Sequence, residues 1–404
     1  MKSLKKKAVI WGAGTLGTSN LLCELLEQWY EIVAYCDSDQ TKWGTKANGY
    51  TVKSVSETME LGSTGAFDVI VIAIYDAAVI LEIKTIIEEK LSPAWSVEIF
   101  VYSEIADELE GAYISRMHKT LDFTRYQINY KKQYDIWLDN IMSEVDYWVN
   151  RVAKKNAPFR DDYCKRLDND AFRSELTGNI DRLTDYLCRI KEPLVYDIGC
   201  GLAPRFGDIL PNGNRISLVE IDPLAYFYNA VNARYAPTSG YKKITFGMFE
   251  YFSRFFDRNS ADAVIINNAL DHCIDPYKSI VESLMVLKPG GMLYLNHTRA
   301  EGINEKYDGL HQWNLDYTED NDFIIWNYGS AVNVSRKLGN IASISIHHSN
   351  GWVCVEMIKK KDFVPEQYID ADNEMEYMAF IVNRLMEKLS DPLFNKAFDS
   401  MLIG

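Results

Sequence analysis

The chain has 404 residues, 47% hydrophobic and 25% charged, enough apolar material for two or three ordinary cores. Its 43 Lys and Arg against 57 Asp and Glu give a net charge of −14, which argues against nucleic acid as a partner, because phosphate contacts need clustered cations. No run approaches the ~20 apolar residues of a membrane span, no apolar signal region follows the N-terminal lysines, and seven scattered cysteines lack metal-binding spacing, so a cytoplasmic protein with reduced thiols is expected.

The first predicted strand, Ala8-Val9-Ile10-Trp11, breaks into Gly12-Ala13-Gly14-Thr15-Leu16-Gly17. A helix follows, with Leu21, Leu22, Leu25 and Leu26 on one face, and then a strand from Ile32 to Asp37. Tyr50 to Val52 is a short extended piece. The run from Phe67 to Ile74 is apolar enough for a strand buried on both faces. A helix over 77–91 and a strand over 97–101 complete a βαβ alternation, so residues 1–105 are expected to form a small parallel-sheet domain.

Residues 106–160 show no strand pattern. Tyr126, Tyr130, Tyr134, Trp137 and Ile141 recur at helical spacing, which predicts a helical connector that also caps the following domain. A second α/β domain is expected over 161–362, with strands at 194–198, 216–220, 243–247, 262–268 and 291–297. Phe323 to Trp326, Ile344 to Ile346 and Val353 to Met357 are also strand-like, and a helical tail occupies 363–404. The fold class is therefore α/β, with two Rossmann-like domains and a helical connector.

The chemistry concentrates in the second domain. The strand ending at Asp197 runs into Gly199-Cys200-Gly201, where a side chain would obstruct a ligand. One strand–helix–strand unit later Leu218-Val219-Glu220-Ile221-Asp222-Pro223 ends in acid, and Glu220, 23 residues after Asp197, is placed to accept ribose hydroxyls. Gly247-Met248-Phe249-Glu250 follows the third strand, Asn267 ends the fourth, and Lys288-Pro289-Gly290-Gly291 turns into the fifth. Taken in order, these pieces resemble the class I S-adenosylmethionine-dependent methyltransferases, closely over about 190–300. The resemblance implies that Asp197, Gly199 and Gly201 lie by the methionine part of the cofactor and that Glu220 holds the ribose. It also implies that Phe249 and Glu250 bracket the adenine and that Asn267 faces the methionine end. Met248 stands where many members carry Asp, which leaves Glu250 as the replacement.

The sulfonium cofactor is already a methyl donor, so the enzyme must align an acceptor and, for a hydroxyl, remove its proton. Histidine suits that task near neutral pH. His272, His297 and His311 lie at or after the C-terminal ends of strands, the edge where open α/β sheets bind ligands. The loop from Asp308 to Asn314 resembles one in methyltransferases of sugar and surface-glycan pathways, with Trp313 to stack on a sugar and Asp308 to bind hydroxyls. The acids Asp271, Asp275 and Glu301 are scattered, and no ligand spacing calls for a metal, so none is expected.

Gly12, Gly14 and Gly17 match a dinucleotide fingerprint, with Asp37 20 residues on. The domain is half the size of a full dinucleotide fold and lacks a redox set. The run from Tyr35 to Gly44, with Gly49 to Val52 after it, resembles small Rossmann domains of polysaccharide pathways, which implies either a nucleotide or nucleotide-sugar ligand or a purely structural role. The expected function is S-adenosylmethionine-dependent methyl transfer to a hydroxyl of a nucleotide-linked sugar or glycan precursor. The alternatives are an NAD-dependent sugar oxidoreductase or epimerase and a non-catalytic nucleotide-sugar-binding protein. Partners are a small-molecule or glycan substrate, without nucleic acid or membrane span, and the sequence is compatible with a homo-oligomer.

Overall fold

The computed structural model describes residues 5–14, 16–74, 76–90, 97–102, 104, 114–153, 158–168, 170–172, 180–203, 205–236, 241–349, 351–365 and 371–390. The chain divides into two compact units. The first holds residues up to Thr120 with 303–306, and the second holds the rest.

The first unit is built on β1 (Lys6–Trp11), β2 (Tyr30–Cys36), β3 (Lys46–Ala47), β4 (Tyr50–Lys53), β5 (Val69–Ile72) and β6 (Glu98–Val101). They form one sheet in the order β3-β4-β2-β1-β5-β6, parallel except for the β3–β4 hairpin. All four residues of β5 are buried, as expected of a central parallel strand covered on both faces. Helices α1 (Asn20–Trp29), α2 (Val55–Ser63) and α3 (Ala77–Lys90) are the crossovers. Ser54 and Glu57 start α2 with a reciprocal capping box, which satisfies two backbone donors that the first turn would otherwise leave unpaired.

The second unit contains a seven-stranded sheet. Its strands are β7 (Leu194–Ile198), β8 (Ser217–Asp222), β9 (Thr245–Phe246), β10 (Ala261–Asn267), β11 (Leu287–Thr298), β15 (Ala342–Ser349) and β16 (Trp352–Lys359). The order is β15-β16-β11-β10-β7-β8-β9. The β7 to β11 part is parallel, and β16 and β15 close the far edge antiparallel. The order reverses between β7 and β10. A crevice opens at that point of a doubly wound sheet, outside the carboxyl ends of the strands. Between β11 and β15 the chain inserts a separate antiparallel sheet of β12 (Asn314–Tyr317), β13 (Phe323–Trp326) and β14 (Ala331–Asn333).

Helix α4 (Tyr130–Ala153) belongs to this second unit. Its buried face carries Tyr134, Trp137, Ile141, Val145 and Val149, in one core with Leu224, Phe227 and Met248. Hydrogen bonds fix its start. Tyr130 Oη donates to Asp275 Oδ2 at 2.5 Å, Tyr126 Oη donates to Asp275 Oδ1 at 2.6 Å, and Tyr134 shares a 2.7 Å hydrogen bond with Tyr251. Asp275 also caps the buried helix Pro276–Val286 by accepting from the Lys278 amide at 2.9 Å. The helix Ala371–Ser390 is the described part of the tail, and later residues lie outside the described set. No helix among the described residues is long and apolar enough to cross a membrane, and all seven cysteines are free thiols.

Candidate active site

At the reversal point a cleft encloses about 690 Å³ of non-protein space, part of it open to solvent, within the range of small-molecule sites. Its floor is the turn after β7. Gly199 and Gly201 have φ of +72° and +69°, which favours glycine at both. They serve different ends. A Cβ on Gly199 would lie 2.7 Å from both Ala269 Cβ and Phe249 Cζ, whereas one on Gly201 would meet nothing within 4 Å. Gly199 is therefore needed for packing, and Gly201 keeps the cleft open.

Strand β8 runs two residues past Glu220, so its tip is Asp222. Asp222 lines the cleft, where its Oδ2 accepts from the Gly201 amide at 3.1 Å and its Oδ1 from the Leu224 amide at 2.8 Å. Burial raises its pKa to about 7 against those two hydrogen bonds. Glu220 sits one pleat back, paired in register with Asp197, and is not among the lining residues. Its Oε2 has no hydrogen-bond partner among the described residues, and burial lifts its pKa to about 8, partly offset by Lys242. The same slip occurs on β10. Asn267 lies in the strand and accepts from Asn296 Nδ2 at 3.0 Å, while Asn268, at φ +49°, lines the cleft and braces it by accepting from the Thr298 amide.

Two comparisons bear on this cleft. Residues 196–295 match the family model described as a methyltransferase domain, which spans the glycine turn, the acid-tipped strand, β10 and most of β11. This segment is similar to a methyltransferase domain. The reaction class that this similarity supports is methyl transfer. Residues 4–92 match the model described as C2185-like, N-terminal. Among solved structures, an S-adenosylmethionine-dependent methyltransferase from Methanosarcina mazei is 18% identical, covering 45% of this chain and 98% of that one at a TM-score of 0.28. The 16S rRNA N2 G1207 methyltransferase of T. thermophilus, in complex with AdoMet and guanosine, is 14% identical over 48% of this chain and 43% of that one, at 0.26. UDP-D-quinovosamine 4-dehydrogenase from Vibrio fischeri is 22% identical over 27% of this chain and 86% of that one, at 0.21. No curated protein matches the chain.

In the second unit the remaining expected residues divide sharply. Phe249 lines the cleft with Met248. Glu250 also borders it, but its Oε1 accepts from the amides of Ile274 at 2.7 Å and Asp275 at 3.3 Å, so that oxygen braces a loop. Asp197 is buried below the turn, outside the lining, with its pKa raised to about 7 by burial against the attraction of Arg205. Trp313 is a correction to the sugar-stacking expectation. It is fully buried, donates from Nε1 to the Cys273 carbonyl at 3.0 Å, and packs in the central core. Asp308 is exposed and does not line the cleft. Helix α4 contributes Trp137, Glu144 and Trp148 to the wall; helical periodicity had marked Trp137 only as packing and had not singled out the other two.

The three expected histidines come together around Asp271. His272 lines the cleft. His311 Nδ1 lies 2.8 Å from Asp271 Oδ2 and 3.2 Å from His272 Nε2. His297, 1% exposed on β11, has neither ring nitrogen hydrogen-bonded among the described residues, and burial lowers its pKa to about 4. Asp271 is fully buried; burial opposes its charge, but His272, His311 and His297 hold its pKa down to about 2. The expectation that no metal-ligand set exists rested on spacing along the chain. In space, one ligand atom each from Asp271, His272 and His311 lie within 4.8 Å of one another.

In the first unit, Gly12 has φ +115° and its amide donates to Cys36 at 2.8 Å. A Cβ on Gly17 would sit 1.7 Å from the Gly12 carbonyl oxygen, while one on Gly14 would meet nothing within 4 Å. Asp37 ends just beyond β2, but its carboxylate is engaged internally. It accepts from the amides of Ala13 and Asp39 and pairs with Lys42 at 3.0 Å. Those partners outweigh its burial and lower its pKa.

Proposed function

We propose that the protein transfers the methyl group of S-adenosylmethionine to a hydroxyl of a nucleotide-linked sugar or surface-glycan precursor. The observation that carries the cofactor part is the open Gly201 cradle with Asp222 at its lip, because a ribose needs an acceptor carboxylate and close backbone approach. Gly199, Gly201, Asp222, Phe249 and Asn268 would hold the cofactor, Asp222 taking the ribose role first expected of Glu220. When bound, the cofactor supplies an electrophilic methyl on a sulfonium.

The acceptor side is supported by Trp137 and Trp148, with ring surface for a sugar face, and by Glu144, Asn268 and His272, with polar atoms for hydroxyls. The cleft walls would exclude water and orient the acceptor oxygen. On transfer an O–CH3 bond forms, the S–CH3 bond breaks with its electron pair remaining on sulfur, and the hydroxyl proton leaves. The group at the wall for that proton is the Asp271–His272–His311 cluster, reached through His272.

The first unit is proposed to hold a nucleotide or nucleotide-sugar over Gly14, where space is open and the turn backbone is exposed to a ligand. The test of the whole reading is radiolabelled methyl transfer to a panel of nucleotide-sugars and glycan extracts, with mass spectrometry of the product. No S-adenosylmethionine-dependent rise in Tm at millimolar cofactor would refute it.

A further inference from the structure

We infer that Asp271, His272 and His311 form a binding site for a divalent transition cation of the zinc class, set in the wall of the cleft. Only the role of the bound ion in catalysis rests on the methyl-transfer reading; the site itself rests on the geometry of the three side chains.

The three facing atoms form a nearly regular triangle. His311 Nδ1 to Asp271 Oδ2 is 2.8 Å, His272 Nε2 to His311 Nδ1 is 3.2 Å, and His272 Nε2 to Asp271 Oδ2 is 3.5 Å. Ligands held at about 2.0–2.1 Å around a tetrahedral zinc stand roughly 3.3 Å apart. The triangle thus has the size of one face of such a coordination shell.

Hydrogen bonding alone accounts for it poorly. In an Asp–His–His relay the middle ring uses one nitrogen toward the acid and the other toward the second ring. Here the same Nδ1 of His311 faces both partners. A ring nitrogen carries either a proton or a lone pair. With a proton, Nδ1 satisfies Asp271 and leaves His272 Nε2 to share that proton. Without one, it can accept from His272 but turns its lone pair toward a carboxylate oxygen 2.8 Å away. A cation at the centre satisfies all three atoms at once.

A second observation points the same way. Asp271 Oδ1 and both ring nitrogens of His297 are buried without hydrogen-bond partners among the described residues. His297 is near enough to Asp271 and His272 for their charges to act on it. Buried polar groups are nearly always satisfied, and a bound ion or water is one of the partners that satisfies them. An ion with a bound water would supply what this pocket lacks.

The donor set selects the ion. Two imidazoles and one carboxylate suit zinc and its first-row neighbours, whereas magnesium and calcium favour oxygen ligands. Three protein ligands leave a coordination position open, the pattern of catalytic rather than structural zinc. His272 lines the cleft, so a ligand in the cleft would be within reach of that position. An acceptor hydroxyl bound there would lose its proton more readily; with His272 Nε2 and His311 Nδ1 on the ion, that proton would pass to solvent instead of to the cluster, before the oxygen forms its bond to the methyl carbon.

The test uses the untagged full-length protein, stripped with chelator and titrated with Co²⁺ and then Zn²⁺. One Co²⁺ per chain is expected, with visible d–d absorption that Zn²⁺ abolishes by displacement. His311→Gln, His272→Gln and Asp271→Asn should each weaken binding by at least roughly 100-fold, since even outer-shell partners cost about 10–100-fold. A wild type that binds neither ion stoichiometrically, or variants that bind as well as wild type, would overturn the site. Should the variants not fold, X-ray absorption of the wild-type zinc complex decides. Two imidazoles with oxygen ligands support the site, and thiolate ligands sink it. Stoichiometric metal without any S-adenosylmethionine-dependent rise in Tm would leave the site standing and remove the methyl-transfer reading instead.

Discussion

Asp222 Oδ2 accepts a hydrogen bond from the Gly201 amide at 3.1 Å, tying the tip of β8 to the open glycine of the turn after β7. The acid and the cradle are thus one unit. A ligand that displaces or joins that hydrogen bond is sensed by both.

The first prediction follows from that link. Asp222→Asn keeps the side-chain shape and one acceptor oxygen but loses the charge. Hydrogen bonds to charged groups contribute about 1.5–3 kcal/mol, so S-adenosylmethionine should bind roughly 10–100-fold more weakly. Glu220→Gln, one pleat away from the cleft, should leave affinity within about twofold. Isothermal titration of the two variants distinguishes the acids, and the reverse ranking would return the ribose role to Glu220.

The two glycines of the turn should fail in different ways. Gly199→Ala places a methyl 2.7 Å from Ala269 Cβ and Phe249 Cζ, at positive φ. Overpacking and strain there should cost about 2–4 kcal/mol of stability. Gly201→Ala bears only the backbone strain, about 1 kcal/mol, because its methyl enters open space. That space belongs to the cleft, so Gly201→Ala should lose cofactor affinity while remaining folded. Denaturant melts beside cofactor titrations would show it.

Glu220 makes stability depend on pH. Its carboxyl ordinarily titrates at 4.5 and is raised to about 8 in the folded protein, chiefly by burial. The folded state therefore holds the proton more tightly than the unfolded state. The resulting stability is fully present below about pH 4.5 and is lost as pH rises through about 8. Glu220→Gln removes this dependence. Compared with wild type, the variant should gain stability between pH 5 and 9, reaching on the order of 2 kcal/mol at the upper end. Urea melts at pH 5, 7 and 9 test the slope, and parallel curves for the two proteins would contradict it.

Much of this was legible in the sequence because parallel strands buried on both faces are continuous apolar runs. Val69 to Ile72 and Ala261 to Asn267 fall inside or beside the runs read as strands. The ends of strands were less legible. Glu220 and Asp222 are two residues apart and so share a face of the sheet, and only the pairing of Asp222 with Phe246 shows that β8 continues to the second acid. Asn267 and Asn268 differ by a left-handed turn that identical side chains cannot announce. The His272–His311 contact joins residues 39 apart, brought together where the Gln312 amide donates to the Asp271 carbonyl at 3.3 Å. No local pattern encodes such a meeting.

Trp313 gives the last prediction. Its position beside His311, in a polar loop, suggested a sugar platform. The structure instead buries the whole ring against Tyr126 and the core, with Nε1 bonded to the Cys273 carbonyl. Trp313→Phe leaves that carbonyl without its donor and opens a small void. The two losses together should cost about 2–4 kcal/mol. Because the ring faces no ligand space, KM for the acceptor should stay within about twofold at a temperature where the variant is folded. In contrast, Trp148→Ala, on the cleft side of α4, should raise KM with little change in Tm, since Trp148 is only partly buried. Steady-state kinetics on the two variants, read beside their melting curves, assigns the sugar-facing aromatic, and a KM effect confined to Trp313→Phe would reverse the assignment.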